Sequence, residues 1–240
     1  MADTLLQKIN KLILAWDSDQ IPREHNHEVN PWLDLWSREN YLYFTLPVAL
    51  NFQRSSPAMR QAALKTWNDP ETQYLFYPEQ VVQFSFEKIQ ADLIKHKLWL
   101  QKNKHTQIWM KLCETFYQQR NNDPRKLIKE KRSCVTRIRN ELQNNKKNYP
   151  YLNGSKMWDY RMFIMSHYTD IKLQNKHLLS IIPDTHIQQA SRVLGITKET
   201  DNPEQVKEKR FALLKWTGIN PVDLHSMLWN RSRNNFVPEV

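Results

Sequence analysis

Two side chains that can act together in catalysis follow two short turns in the second half of the sequence. Lys156 comes directly after a Leu-Asn-Gly-Ser segment, and Asp184 lies in a Pro-Asp-Thr-His-Ile segment. An Asn-Gly pair predicts a tight turn before a helix, and an aspartate after a proline predicts a helix N-cap. We therefore expect the lysine in the first turn of one helix and the carboxylate at the start of another, with both facing one cleft.

The chemistry of this pair depends on the charge of the lysine. Burial and the positive end of a helix both disfavour an ammonium ion, so we expect them to lower the pKa of Lys156. A neutral amine can attack C1′ of a deoxyribose and form a Schiff base, while loss of a base builds positive charge on the sugar. A carboxylate such as Asp184 stabilises that charge and carries protons to and from the amine. The pair would suit a base flipped out of DNA.

Each motif taken alone is also typical of ordinary structure. An aspartate at a helix start usually serves only as a cap, and a lysine in a first helical turn is usually solvated. The order of glycine, lysine, apolar helix, Asp-Thr-His and amphipathic helix is more specific than any one of these features.

This order resembles the helix-hairpin-helix DNA glycosylases of the endonuclease III superfamily. The interval of 28 residues between Lys156 and Asp184 is more similar to the archaeal 8-oxoguanine glycosylase branch than to endonuclease III, as are residues 218–229. The resemblance implies a DNA glycosylase with associated lyase activity, in which Lys156 is the nucleophile and Asp184 the catalytic carboxylate. The hairpin has one glycine where the superfamily usually has two, and Pro183 also departs from endonuclease III.

The resemblance also implies a fold and further site residues. It implies two helical lobes with the active site in the cleft between them: residues 1–55 with 184–240, and a helical barrel over 56–183 that ends in the hairpin and the lysine-bearing helix. The hairpin would bind the DNA backbone through Leu152, Asn153, Gly154 and Ser155. The base pocket would draw on Trp229 and Trp216 for stacking and on Gln53 as a polar reader.

Composition favours a helical protein with a polyanionic partner. The 240 residues include only 3 glycines against 12 prolines, with many Leu, Lys, Gln and Glu, so we predict an all-α fold with short Pro-marked turns. The formal net charge of +10 fits nucleic acid and, less often, an anionic membrane surface. We expect DNA, duplex or single-stranded, as the partner of a monomer.

The sequence gives no sign of a cofactor or of a membrane segment. Two cysteines, Cys113 and Cys134, cannot form a four-cysteine iron–sulfur site, so we expect neither that cluster nor another metal or cofactor. The N-terminus does not resemble a signal peptide, and no apolar run of about 18 residues exists. These patterns predict a cytoplasmic or nucleoid-associated protein.

Periodicity and caps predict about ten or more helices. Asn30-Pro31 is expected to start a helix through Trp36, and Asp123-Pro124 one long helix towards residue 147. Residues 102–105 read as a basic turn between two helices. Residues 41–52 predict a buried helix, although residues 41–45 could also form a strand.

Two other functions fit the same sequence. The single-glycine hairpin is compatible with a helical DNA-binding protein that has lost catalysis. The basic segment 125–147 could instead serve an RNA-binding or interaction protein, or it could be an ordinary solvated helix face.

Overall fold

The computed structural model describes residues 2–22, 29–51, 56–179, 181 and 183–240, and of residues 2, 3, 155 and 156 it describes the backbone alone. Over these residues the chain is all-α, as predicted, and has no strand; an isolated bridge joins Cys134 and Gln174. The helices are α1 (Ala2–Asp17), α2 (Arg38–Tyr43), α3 (Ser56–Asn68), α4 (Pro78–Val81), α5 (Phe86–Lys95), α6 (Lys102–Arg120), α7 (Pro124–Glu130), α8 (Val135–Asn144), α9 (Ser155–Tyr168), α10 (Thr185–Val193), α11 (Pro203–Leu214) and α12 (Leu224–Arg233), with short 3₁₀ helices at Pro47–Leu50, Gln73–Phe76 and Lys176–Leu178.

The chain divides into two compact units. Glu28–Asn175 form one, here called the central unit, and Met1–His27 with Lys176–Val240 form the other, the terminal unit. The lobes expected from the resemblance, 1–55 with 184–240 and 56–183, stay a prediction.

The core of the terminal unit is built by α1, α10 and α12. The apolar stripe of α1 is buried at Ile9 and Leu12, and it packs with Ile187 of α10 and Leu228 of α12. Local residues mark the helix ends, because Asn202 caps α11 in a reciprocal box with Gln205, and α10 stops before the left-handed Gly195.

Aromatic side chains fill the core of the central unit. The rings of Tyr43, Trp67, Phe76 and Trp109 contact one another with centroid distances of 5.0 to 5.8 Å. Helix α9 is buried on nearly every side, as its apolar sequence predicts. The burial of α9 fixes the backbone that carries Lys156.

The helix predicted to start at Asn30-Pro31 is wrong. Trp32 has a φ of +54°, which a helix excludes, and its N–H donates to Oδ1 of Asn30 at 2.8 Å. An asparagine side chain that bonds the backbone two residues on forms a turn that competes with a helix. The next helix, α2, begins instead at Arg38, capped by Ser37.

Two further predictions about the basic parts of the chain are also wrong. The long helix expected after Asp123 is interrupted between α7 and α8, where Arg132 and Ser133 both have φ near +50°. Residues 102–105 are not a turn, since α6 begins at Lys102.

No helix among the described residues has the length and apolarity needed to cross a lipid bilayer.

Candidate functional site

The carboxylate of Asp184 is held by two hydrogen bonds while it stays exposed. Asp184 caps α10, as predicted: its Oδ1 accepts from the N–H of Ile187 at 3.0 Å. Its Oδ2 accepts from Nε1 of Trp229 on α12, also at 3.0 Å. Both oxygens therefore have a donor, which fixes the plane of the carboxylate.

Two neighbours, His186 and Arg233, lie against the Trp229 indole. The ring of His186 meets it edge-on with centroids 5.4 Å apart, and Cζ of Arg233 lies 5.5 Å from its centroid. Nδ1 of His186 is in turn 3.2 Å from Oγ of Ser232. The resemblance implies that Trp229 stacks on a base, and the structure places its N–H on Asp184. The stacking role stays a prediction.

The backbone of Lys156 lies where the sequence predicts. Gly154 is the N-cap of α9, so Lys156 is in the first turn of that helix. The side chains of Ser155 and Lys156 fall outside the described part of the structure. That the amine of Lys156 and the carboxylate of Asp184 face one cleft therefore stays a prediction.

Residues one and two turns further along α9 line a narrow aromatic cavity in the central unit. Tyr160 and Ile164 form one wall, and the aromatic rings of Tyr43 and Phe44 also line it. Because residues four apart share a helix face, position 156 is on the same side of α9 as this cavity. Its volume is about 20 Å³, which suits one water molecule.

The cavity has a polar pair on its wall. Nη2 of Arg60, on α3, donates to the hydroxyl of Tyr160. A ring the size of a nucleobase would enter only if this pair or the aromatic walls moved apart.

The hairpin before α9 is organised differently from the expectation. Gly154 has an ordinary φ of −73°, and Tyr151 is the residue in the left-handed region, with φ +62°. Leu152 is buried, so its side chain anchors the turn. Asn153 donates from Nδ2 to the carbonyl of Tyr149 at 2.8 Å and to that of Lys146 at 3.2 Å. These bonds close the hairpin and leave its exposed glycine at the start of α9.

Trp216 and Gln53 are the other two residues expected in the base pocket. Trp216 is 91% exposed on the loop after α11, so it stands in solvent and does not fill a closed pocket. Gln53 lies outside the described residues.

A buried arginine on α9 was missed by the sequence reading. Arg161 is 1% exposed, and its Nη2 donates to Oγ1 of Thr45 at 2.8 Å. Burial lowers the pKa of Arg161 to about 10. Its Nε and Nη1 have no hydrogen-bond partner among the described residues. The one signal in the sequence is a single arginine within an apolar helix.

The basic segment 125–147 combines paired and exposed cations. Arg125, Lys131 and Arg139 form ion pairs, the last with the buried Asp159 at 2.6 Å. The other cations of the segment are exposed: Lys126, Lys129, Arg132, Arg137, Lys146 and Lys147. The segment is therefore partly structural and partly available to an anionic partner.

No protein-family model matches the chain, and a comparison with curated protein sequences finds no match either.

Proposed function

We propose that this protein is a DNA glycosylase with associated lyase activity that removes a damaged or modified base. Lys156 acts as the nucleophile and Asp184 as the catalytic carboxylate. The observation that supports the proposal most is the exposed Asp184 carboxylate, because a second helix supplies a hydrogen bond that a simple N-cap does not need.

A carboxylate held in this way suits glycosidic bond cleavage. Cleavage builds positive charge on the sugar, and a fixed negative charge lowers the energy of that state without having to reorient. The N–H of Trp229 removes the rotational freedom that an exposed aspartate normally has. Arg233, which lies over the same indole, is available to a phosphate of the strand.

Lys156 and Asp184 have separate roles in the proposed reaction. The neutral amine of Lys156 forms a bond to C1′ as the bond from C1′ to the base nitrogen breaks, and the departing base takes a proton from water. Asp184 takes a proton from the new ammonium group and passes it to O4′ as the C1′–O4′ bond breaks, which opens the ring and leaves a Schiff base. Loss of a C2′ proton to water then gives an enamine, whose electrons expel the 3′ phosphate and cut the strand. No cofactor is required by these steps.

We propose that the flipped base lies on the face of α9 that carries Tyr160, where the aromatic cavity is found. It shares the helix face of position 156 and is lined by aromatic rings, which stack on bases of any identity. The Arg60–Tyr160 pair lines the same space, so we propose that these side chains shift when the base enters.

The exposed cations of segment 125–147 support a second candidate, a nucleic-acid-binding protein without catalysis. If all six exposed cations contact phosphates, the logarithm of the association constant should fall against log salt concentration with a slope of about −5. Replacement of Lys126, Arg132 and Arg137 by acidic residues tests this candidate. Arg139 is left out of these substitutions, because an acidic residue there would place a second negative charge beside the buried Asp159.

An excision screen tests the proposal. The native protein is incubated with duplex and single-stranded oligonucleotides that each carry one modified base, and strand scission is measured. We expect scission on at least one substrate, with Lys156→Ala and Asp184→Asn losing at least about 100-fold of it while they keep DNA affinity. Salt-dependent binding without scission on any substrate would overturn the enzymatic proposal and favour the second candidate.

A further inference from the structure

An exposed tryptophan stands at the end of α11 in the terminal unit. Trp216 is 91% exposed, and its φ of +72° places it in the left-handed region. Such a backbone is costly for a bulky residue and persists only where the surroundings enforce it. Folding gains little from this side chain, since almost none of it is buried.

The loop that carries Trp216 is well anchored. Oγ1 of Thr217 donates to the carbonyl of Leu214 at 2.8 Å and accepts from the N–H of Ile219 at 3.2 Å. Further on, the buried Arg210 donates to the carbonyl of Pro221 at 3.0 Å. These bonds fix both sides of the loop, so the backbone that carries the exposed indole is held in position before any partner arrives.

The neighbour of Trp216 indicates the charge of the partner. Nζ of Lys215 lies 5.1 Å from the centroid of the indole. A cation beside a bare aromatic ring suits a ligand that offers flat bases and phosphates together. Trp216 is also the only tryptophan, tyrosine or phenylalanine that is largely exposed in the described part of the terminal unit. A platform for single strands uses several such rings, whereas one ring suits insertion at one base step.

We propose that Trp216 inserts into a base step of bound duplex DNA and that Lys215 contacts the adjacent phosphate. This inference rests on the proposed function for its partner, and it deepens that function by naming double-stranded DNA as the substrate. The extra stacking offsets the unstacking of the duplex at that step.

The test uses the full-length protein and a set of duplexes that carry an uncleavable abasic analogue. 2-Aminopurine, which fluoresces more strongly when unstacked, replaces one base at successive positions around the analogue. We expect the native protein to raise the emission at one step and Trp216→Ala to abolish that rise. Trp216→Ala should also weaken duplex binding about tenfold, and Trp216→Phe should restore most of both signals.

Trp32→Ala is the matched control, because Trp32 is 78% exposed with a φ of +54° but has no cation beside it in the sequence. It should leave emission and affinity unchanged. Equal emission for the native protein and Trp216→Ala, with binding intact, would overturn the inference and leave the glycosylase proposal standing. Loss of excision in Lys156→Ala with the emission rise retained separates the chemistry from the insertion. Absence of any DNA binding by the native protein would overturn both.

Discussion

Nε1 of Trp229 donates a hydrogen bond to Oδ2 of Asp184 at 3.0 Å, and this bond joins the start of α10 to the middle of α12. An aspartate that only caps a helix needs one backbone N–H, which Ile187 supplies. The second bond orients the carboxylate and connects it to His186 and Arg233 through the indole. Trp229 is therefore a positioning residue in the proposed reaction.

Removal of the indole N–H should slow excision without weakening DNA binding. Replacement of Trp229 by benzothienylalanine keeps the shape of the ring and deletes the donor. Because a hydrogen bond to a charged group is worth about 1.5 to 3 kcal/mol, we expect the single-turnover rate to fall at least about tenfold. The measurement is single-turnover excision together with Kd for an abasic-analogue duplex.

The same pair of measurements distinguishes positioning from stacking. If Trp229 acted by stacking on a base, the isosteric replacement would keep the rate, while Trp229→Ala would raise Kd. An unchanged rate for benzothienylalanine would remove the positioning role.

Gly154→Ala should leave the unfolding free energy of the protein unchanged and lower its affinity for DNA. A Cβ at this position would meet its nearest neighbour, the carbonyl of Tyr151, at 3.8 Å, and the φ of −73° suits any residue. If a phosphate approaches this glycine closely, the added methyl should reduce DNA affinity several-fold. Urea unfolding and DNA titration measure the two effects.

Gly218→Ala serves as the comparison, because Gly218 has φ +78°. An alanine there should cost about 1 kcal/mol of unfolding free energy. Gly154→Ala with full DNA affinity would show that the hairpin does not hold a phosphate at this residue.

Thr45→Val should destabilise the central unit. The hydroxyl of Thr45 is the hydrogen-bond acceptor of the buried Arg161, and valine has the same shape without it. Loss of a bond to a buried charged group should lower the unfolding free energy by about 2 kcal/mol, measured by urea denaturation. Thr45→Ser keeps the hydroxyl and should retain most of that energy. Equal losses in the two variants would mean that the methyl group, and not the bond, matters.

Acid should destabilise the protein partly through Asp69. Its Oδ2 lies 2.8 Å from Nζ of Lys95 and 2.6 Å from Nε2 of His96, and these bonds hold the pKa of Asp69 below its ordinary 3.8. The unfolded chain therefore binds this proton first on acidification, so the stabilisation is present above the ordinary pKa and is lost as the pH falls.

Asp69→Asn removes this contribution. We expect its unfolding free energy to be lower than that of the native protein at pH 6 and to change less between about pH 5 and about pH 3. Parallel pH profiles for the two proteins would contradict the assignment.

The sequence predicted what depends on local signals. The predicted cap at Asp184, followed by apolar residues at helical spacing, located α10. The all-α class followed from the same patterns. The predicted helix start at Asn30 is wrong because the Asn30 side chain accepts a hydrogen bond from the backbone and forms a turn. An Asn-Pro pair is typical of a helix start and of a turn, so the sequence does not distinguish the two.

Contacts between distant parts of the chain could not be predicted in this way. Trp229 and Asp184 are 45 residues apart, and their hydrogen bond exists only because α10 packs on α12. Likewise Thr45 and Arg161 meet across 116 residues. Neither pair has a spacing that a sequence pattern could indicate, since such contacts follow from helix packing and not from local propensity.

Borohydride trapping on DNA with an abasic site tests the central claim most directly. Reduction of a Schiff base would join the protein to the DNA, and mass spectrometry of the digested adduct would locate the modified lysine. We predict one adduct, at Lys156, that Lys156→Ala abolishes and the neighbouring exposed control Lys147→Ala leaves intact. An adduct that persists in Lys156→Ala, or no adduct with the native protein, would contradict the account.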